Sequence, residues 1–153
     1  MTPAELSAVA KAVDLKNDNQ LNLRIAFGVA CASRVEHLIT ESELTACLQV
    51  GKHYLLGKVS SSALAASADR AAKAARSHAG SGLIDGCGNA AVSASYSVAA
   101  ALAARALVAA EYAAYASVYA YSASAVTDID AYHEEHQWQI AQLKQLAENH
   151  CVL

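Results

Sequence analysis

The sequence predicts an all-α protein: a single domain over residues 1–153, built as a bundle of about six or seven closely packed helices. Apolar residues recur at intervals of three and four along several segments, which is the period of one helical face. No segment shows the alternation with period two that a half-buried strand needs. Alanine dominates the second half of the chain, and it combines the highest helix propensity with a side chain small enough for helices to approach closely.

The first helix is predicted at residues 3–14. Residues 2–5 read Thr-Pro-Ala-Glu, which is the pattern of a capping box with proline at the first helical position. The polar run at residues 16–19 then interrupts the helical pattern. A second helix follows, and its apolar stripe steps by four and three residues through Leu21, Ile25, Gly28, Ala32, Val35 and Ile39.

A second apolar row runs beside that stripe and contains a cation. Phe27, Cys31 and Leu38 make up the row, and Arg34 belongs to it. A helix with two apolar faces is central in a bundle, and a guanidinium buried there needs a carboxylate or carbonyl groups as acceptors. We therefore predict that Arg34 is a structural anchor without a catalytic role.

The third helix begins at a second capping-box pattern, Thr-Glu-Ser-Glu at residues 40–43, and Gly57 is its predicted end. Gly51 lies in the middle of its apolar stripe, as Gly28 does in the preceding helix. Each glycine replaces a large residue at a cost in helix propensity, so we predict that both mark close helix crossings. The stripe of the third helix is Leu44, Leu48, Gly51 and Leu55.

The fourth helix is predicted to be capped by Ser60 or Ser61 and to run to about His78. The glycine-rich segment that follows, residues 79–89, is similar in composition to a phosphate-binding loop. No strand precedes it, however, and no Lys-Ser or Lys-Thr pair follows it, so both nucleotide-binding fingerprints fail. We predict a flexible connection between two helices.

Residues 89–126 consist almost entirely of Ala, Ser, Val, Leu and Tyr. The segment is too long for one buried helix in a domain of this size, so we predict a break near Arg105. A membrane span is not predicted, because Arg105 and Glu111 lie within the segment and alanine and serine favour insertion only weakly. Asp128 or Asp130 is the predicted start of the last helix, with a stripe of Ile129, Tyr132, His136, Ile140, Leu143 and Ala147.

Charge and cysteine usage exclude several classes of function. The formal net charge is −3, and the nearest approach to a basic patch, Arg70, Lys73 and Arg76, shares its helix with Asp69. A nucleic-acid partner is therefore not expected. The four cysteines are widely spaced and form no CxxC pair. No secretory or targeting signal is recognisable, which favours a cytoplasmic location.

No catalytic residue, cofactor or metal site is predicted. Residues 133–136 read His-Glu-Glu-His, but the zinc-protease motif HExxH needs histidines four apart. A packed or solvated pair of histidines is the better interpretation. His37, His53 and His78 fall on separate helices, and no GxSxG nucleophile motif occurs.

Tyr112, Tyr115 and Tyr119 are the candidate partner-binding residues. Their spacing of three and four places them along one side of a helix. Tyrosine is frequent at the energetic centres of protein interfaces, and it orders few rotatable bonds on binding. It also packs its ring over small residues with the hydroxyl at the surface, and the spacing alone leaves both roles open.

Several motifs, in order along residues 20–147, resemble the immunity-protein family of bacterial polymorphic-toxin loci. The most specific are Cys31-Ala32-x-Arg34-Val35 and Trp138-Gln139. The run RIAFGVACASRV at residues 24–35, the block SSALAA at residues 61–66 and the closing EHQWQ also contribute. Because Trp138 belongs to a shared motif, we expect it to dock on another helix as a second structural anchor.

The resemblance implies a small cytoplasmic helical protein that binds and neutralises a cognate toxin without catalysis of its own. Two alternatives stay open. One is a structural or oligomeric helical module. The sequence is compatible with a homo-oligomer under each of these interpretations. The other is an enzyme or ligand-binding bundle with a site assembled from scattered His, Glu and Tyr. An exposed face rich in tyrosine or carboxylates favours the first interpretation, and a deep polar pocket favours the last.

Overall fold

A computed structural model describes residues 2–78 and 86–151, with the backbone alone at 86–89 and 151. No residue in these ranges forms a β-strand, which confirms the all-α prediction. None of the helices there combines the length and the apolar character needed to cross a membrane. The helices are α1 (Ala4–Ala12), α2 (Leu21–Arg34), α3 (Ser42–Leu55), α4 (Ser61–Arg76), α5 (Gly86–Leu102), α6 (Ala106–Tyr121) and α7 (His133–Cys151).

Short 3-10 turns extend three of the connections between these helices. They lie at Asp18–Gln20, at Glu36–Leu38, and, in succession before α7, at Ala123–Thr127 and Ile129–Tyr132. The last two form a compact connection between α6 and α7, and that connection lies beside the candidate site described below.

Helix α2 lies between two apolar cores, as its two apolar rows predict. Leu23, Phe27 and Cys31 pack into a first core with α1, α6 and α7. Ile25 and Val29, on the other row, pack into a second core with α3, α4 and α5. Because α2 and α5 both contact several other helices, these two form the centre of the bundle.

Gly28 and Gly51 lie where helices approach closely, which confirms that prediction. A Cβ atom added at Gly28 would lie 3.0 Å from the Cα atom of Ala101 in α5. One added at Gly51 would lie 2.6 Å from Cδ2 of Leu102, also in α5. The two glycines thus let α2 and α3 pack directly onto the end of α5.

Three helices end in the same way, with one residue in the left-handed region: Asp14 (φ 54°), Gly57 (φ 75°) and Ala104 (φ 61°). These are Schellman endings, in which the next N–H bonds the carbonyl five residues back. The predicted end at Gly57 and the predicted break near Arg105 are both confirmed. The bonds run from Leu15 to Ala10, from Lys58 to His53 and from Arg105 to Ala100, each 2.9 Å between N and O.

Ala104→Gly is expected to raise the free energy of unfolding by about 1 kcal/mol, because a Cβ atom makes the left-handed conformation unfavourable. Urea unfolding measures the change. Ala103→Gly is the matched control: Ala103 has no positive φ, so the same substitution should destabilise by up to about 1 kcal/mol. An Ala104→Gly variant no more stable than the wild type would contradict the strain assigned to this turn.

Neither predicted capping box forms, and helix α1 begins at Ala4 and ends at Ala12, inside the predicted range 3–14. The hydroxyl of Thr2 donates to Oε1 of Glu111 on α6, at 2.6 Å. Oγ1 of Thr40 lies 3.1 Å from Nε2 of His78, at the end of α4. Both threonines therefore bond to distant side chains, and these tertiary contacts replace the local caps that their sequence patterns predict.

The start of α4 agrees with its prediction, and the start of α7 does not. Ser60 caps α4 as predicted, since its Oγ accepts from the N–H of Ala63 at 3.2 Å. Asp128 accepts from the N–H of Asp130 at 3.0 Å, but it caps a 3-10 turn, and α7 begins only at His133. Residues 79–85, most of the predicted flexible connection, lie outside the described residues, as do the side chains of Cys87 and Cys151.

Candidate interaction surface

The three candidate tyrosines of α6 differ in exposure. Tyr112 is 37% exposed, Tyr115 is half-buried, and Tyr119 is only 9% exposed. The rings of Tyr115 and Tyr119 lie 5.6 Å apart, while the ring of Tyr112 stacks on Tyr96 of α5 with a centroid distance of 5.3 Å. The stripe therefore leads from the surface into the packed interior, and only its first member is open to a partner.

A groove of about 570 Å³ runs beside this part of α6. Tyr112 and Tyr115 form one side of it, and the connection before α7 forms the other. The hydroxyl of Tyr132 donates to the carbonyl of Val126 at 2.8 Å, and its ring stacks on His136 with a centroid distance of 5.6 Å. These contacts connect the two 3-10 turns with each other and with α7 along the far wall of the groove.

Burial shifts the pKa values of two side chains in the groove. Burial lowers the pKa of the His136 imidazole, so this side chain is neutral at pH 7. Burial likewise raises the pKa of the Tyr132 hydroxyl. Glu111 supplies the carboxylate at the edge of the groove, and one of its oxygens accepts the hydrogen bond from Thr2. The groove thus presents aromatic rings and a few polar groups to a ligand.

Two large side chains in this part of the chain are strongly exposed: Ile129 lines the groove, and Tyr121 lines a separate cleft beside Arg34. Tyr121, the last residue of α6, is 90% exposed, and Ile129 is 74% exposed. The sequence interpretation missed Tyr121 and assigned Ile129 to the buried stripe of the last helix. That assignment is wrong, because Ile129 lies in the 3-10 turn before α7, where the helical period does not apply.

Carboxylates accompany both side chains, since Glu134 and Glu135 line the cleft that contains Tyr121 and Glu111 lines the groove that contains Ile129. Residues 106–143 contain no Lys or Arg, but they contain Glu111, Asp128, Asp130, Glu134 and Glu135. Asp128, Asp130 and Glu134 are exposed, whereas Glu135 is buried. We use the name acidic aromatic face for the exposed side chains of α6, of the connection after it and of the start of α7: Tyr112, Tyr121, Asp128, Ile129, Asp130 and Glu134.

Arg34 and Trp138, the predicted anchors, lie next to each other beside this face. Nε and Nη2 of Arg34 donate to the two carboxylate oxygens of Glu135 at 3.1 and 2.8 Å. The guanidinium carbon lies 4.2 Å from the ring centroid of Trp138, which is half-buried against the first core. No sequence pattern identifies Glu135 as the partner, because 101 residues separate it from Arg34.

The ion pair is asymmetric in its exposure. The side chain of Glu135 is 8% exposed, whereas that of Arg34, the last residue of α2, is 38% exposed. The hydrogen bond to Glu135 raises the pKa of the Arg34 guanidinium. Arg34 is thus less buried than its place in an apolar row predicts, and its role as a structural anchor stays a prediction.

The remaining chemistry candidates do not converge. Cys31 and Cys47 are buried free thiols, and burial raises the pKa of both. In the part of the chain that the structure describes, no three His, Cys, Asp or Glu side chains are placed to hold a metal ion.

Comparison with known proteins adds no assignment: no family model, curated protein or solved structure matches the chain. The likeness to the immunity-protein family therefore rests on the order of motifs in the sequence.

Proposed function

We propose that this protein is a non-catalytic binding protein of the immunity type, which neutralises a toxin protein by covering part of its surface. The observation that carries the proposal is the acidic aromatic face, where large side chains stand exposed among carboxylates. The cytoplasmic location inferred from the sequence belongs to the same proposal. The resemblance in motifs supplies the class of partner, and the face supplies a place where that partner can bind.

The exposed side chains have the character of interface anchors. Tyr121 and Ile129 present large apolar surfaces to water, and such residues contribute most when a partner covers them. The connection that carries Ile129 is already held by the Asp128 side chain and by the hydrogen bond from Tyr132. Because these contacts exist before binding, little conformational entropy is lost when a partner docks.

The charge of the face indicates what kind of partner surface it fits. Asp128, Asp130 and Glu134 form no ion pair with another described residue, and Arg34 is already bonded to Glu135. A partner surface rich in Lys and Arg would neutralise these carboxylates and would be attracted to them at a distance. We therefore expect the toxin to present a basic surface to this face.

The direct test is binding of the purified protein to the product of the neighbouring gene, measured by isothermal titration calorimetry. Tyr121→Ala and Ile129→Ser are each expected to weaken binding by about 2 kcal/mol, roughly 30-fold, without loss of stability. Leu56→Ala is the matched control, since Leu56 is a strongly exposed apolar residue at the end of α3, far from this face in sequence. Binding that survives both face substitutions would contradict the proposed surface.

The three tyrosines of α6 are expected to respond differently when each is replaced by alanine. Tyr112→Ala should weaken toxin binding and lower the free energy of unfolding by only about 1 kcal/mol, because the ring stacks on Tyr96 but is 37% exposed. Tyr119→Ala should lower the free energy of unfolding by about 3 kcal/mol, because it removes a buried ring. Equal losses of stability at both positions would show that the whole stripe is core, as the alternative interpretation requires.

A small-molecule binder is the second candidate. The groove beside α6 is within the size range of ligand pockets, and tyrosine and histidine side chains line it. If the groove holds a ligand in place of a protein, Tyr115→Ala should abolish its binding, whereas Tyr121→Ala, outside the groove, should leave it unchanged.

A further inference from the structure

A second cleft, of about 690 Å³, lies between the end of α1, the start of α2 and the corner where α5 meets α6. It is separate from the acidic aromatic face and differs from it in charge. The side chains that line it include four cations: Lys11, Lys16, Arg24 and Arg105. Asp14 is the one carboxylate among the described residues that line the cleft, so its lining carries a net charge of +3.

These cations have no carboxylate partner among the described residues. Nη1 of Arg24 donates to the carbonyls of Leu15 and Asn17 at 2.7 and 2.8 Å, which fixes its guanidinium at the cleft without changing its charge. Like charges so close together repel each other, and an anionic ligand would relieve that repulsion.

Apart from Ser7, the rest of the wall is apolar. It is formed by Ala10, Leu15, Ala104, Ala106, Leu107 and Val108. Small-molecule sites are typically of this volume, with mostly apolar walls and a few convergent polar groups. A ligand that fits the cleft therefore combines an anionic group with an apolar body.

We propose that this cleft binds a small phosphate monoester with an apolar body. A phosphate monoester carries a charge of about −1.5 to −2 at pH 7. It therefore neutralises more of the cleft's three excess positive charges than a ligand with a single carboxylate would. Guanidinium groups also bind phosphate through paired hydrogen bonds, and two arginines line the cleft. This site is independent of the proposed toxin-binding function.

The test uses phenyl phosphate as the probe, with binding followed by NMR titration of the backbone amides. Phenyl phosphate should bind saturably, with shifts confined to the cleft, and at least tenfold more tightly than benzoate or phenol. The double variant Lys16→Gln/Arg105→Gln should weaken binding at least tenfold. Arg24 is left unchanged, since its hydrogen bonds to backbone carbonyls also hold the chain between α1 and α2.

Lys58→Gln/Arg76→Gln is the control with the same change in net charge, because both residues are exposed and neither lines the cleft. It should bind phenyl phosphate as the wild type does. An equal loss of affinity in the control would show that only overall charge matters. If phenol bound as tightly as phenyl phosphate, the anionic group would not contribute to binding. Inorganic phosphate binding as tightly as the ester would overturn the assignment of an apolar body. Absence of saturable binding would overturn the site altogether.

Discussion

Gly28→Leu is expected to lower the free energy of unfolding by about 3 kcal/mol, at the upper end of the usual cost of overpacking. Even a single added Cβ atom would lie 3.0 Å from Cα of Ala101, and backbone atoms cannot rotate away. The larger side chain must therefore push α2 and α5 apart in the middle of the bundle. Urea unfolding followed by circular dichroism measures the change in midpoint.

Gly51→Ala provides the contrast that separates backbone from side-chain crowding. Its added Cβ would meet Cδ2 of Leu102, the flexible end of a side chain that can move. The gain in helix propensity of about 1 kcal/mol offsets part of that adjustment, so the net change should stay within about 1 kcal/mol. A Gly28→Leu variant that unfolds at the wild-type urea concentration would be incompatible with a close crossing of α2 and α5.

Arg34→Met is expected to lower the free energy of unfolding by about 2 kcal/mol, the usual size of a lost hydrogen bond to a charged group. It leaves the nearly buried carboxylate of Glu135 without its partner. A fully buried pair would lose about 3–5 kcal/mol, but Arg34 is 38% exposed and water partly replaces it. Thermal and urea unfolding should agree on the loss.

Two further variants isolate the ion pair. Arg34→Met/Glu135→Gln should be more stable than Arg34→Met alone, because glutamine carries no charge that needs a partner. Lys52→Met, which breaks the more exposed pair with Glu36, should cost less than about 1 kcal/mol. If Arg34→Met retains full stability and loses toxin binding, Arg34 is part of the interface and not a structural anchor.

Much of the fold could be predicted because the patterns that encode it are local. The two apolar rows of α2 placed it between two cores, and the length of the alanine-rich segment required a break near Arg105, which the structure shows at Ala104. The predicted caps at Thr2 and Thr40 were wrong because the hydrogen bonds of these hydroxyls depend on tertiary contacts, which no local pattern encodes. A hydroxyl bonds to whichever acceptor the tertiary structure brings near, and for Thr2 that is Glu111, 109 residues away.

The candidate site was predicted only in part. The spacing of the α6 tyrosines placed them on one side, but their different exposures depend on how α5 and α7 pack against that side. Stacking of Tyr96 on Tyr112 likewise depends on the rotation of one helix relative to another, which no local pattern encodes. Ile129 was misassigned because a 3-10 turn interrupts the helical period just where the exposed face forms.

The direct connection between α5 and α6 has a consequence for how the chain folds. These two helices share the largest contact between described elements, and the hydroxyl of Ser97 joins them by donating to the carbonyl of Ala109 at 2.8 Å. Because the partners are neighbours in sequence, bringing them together costs little loop entropy. We expect this alanine-rich hairpin to form early and to serve as the nucleus on which α2 and α4 assemble. Substitutions that weaken it should then slow folding more than they speed unfolding.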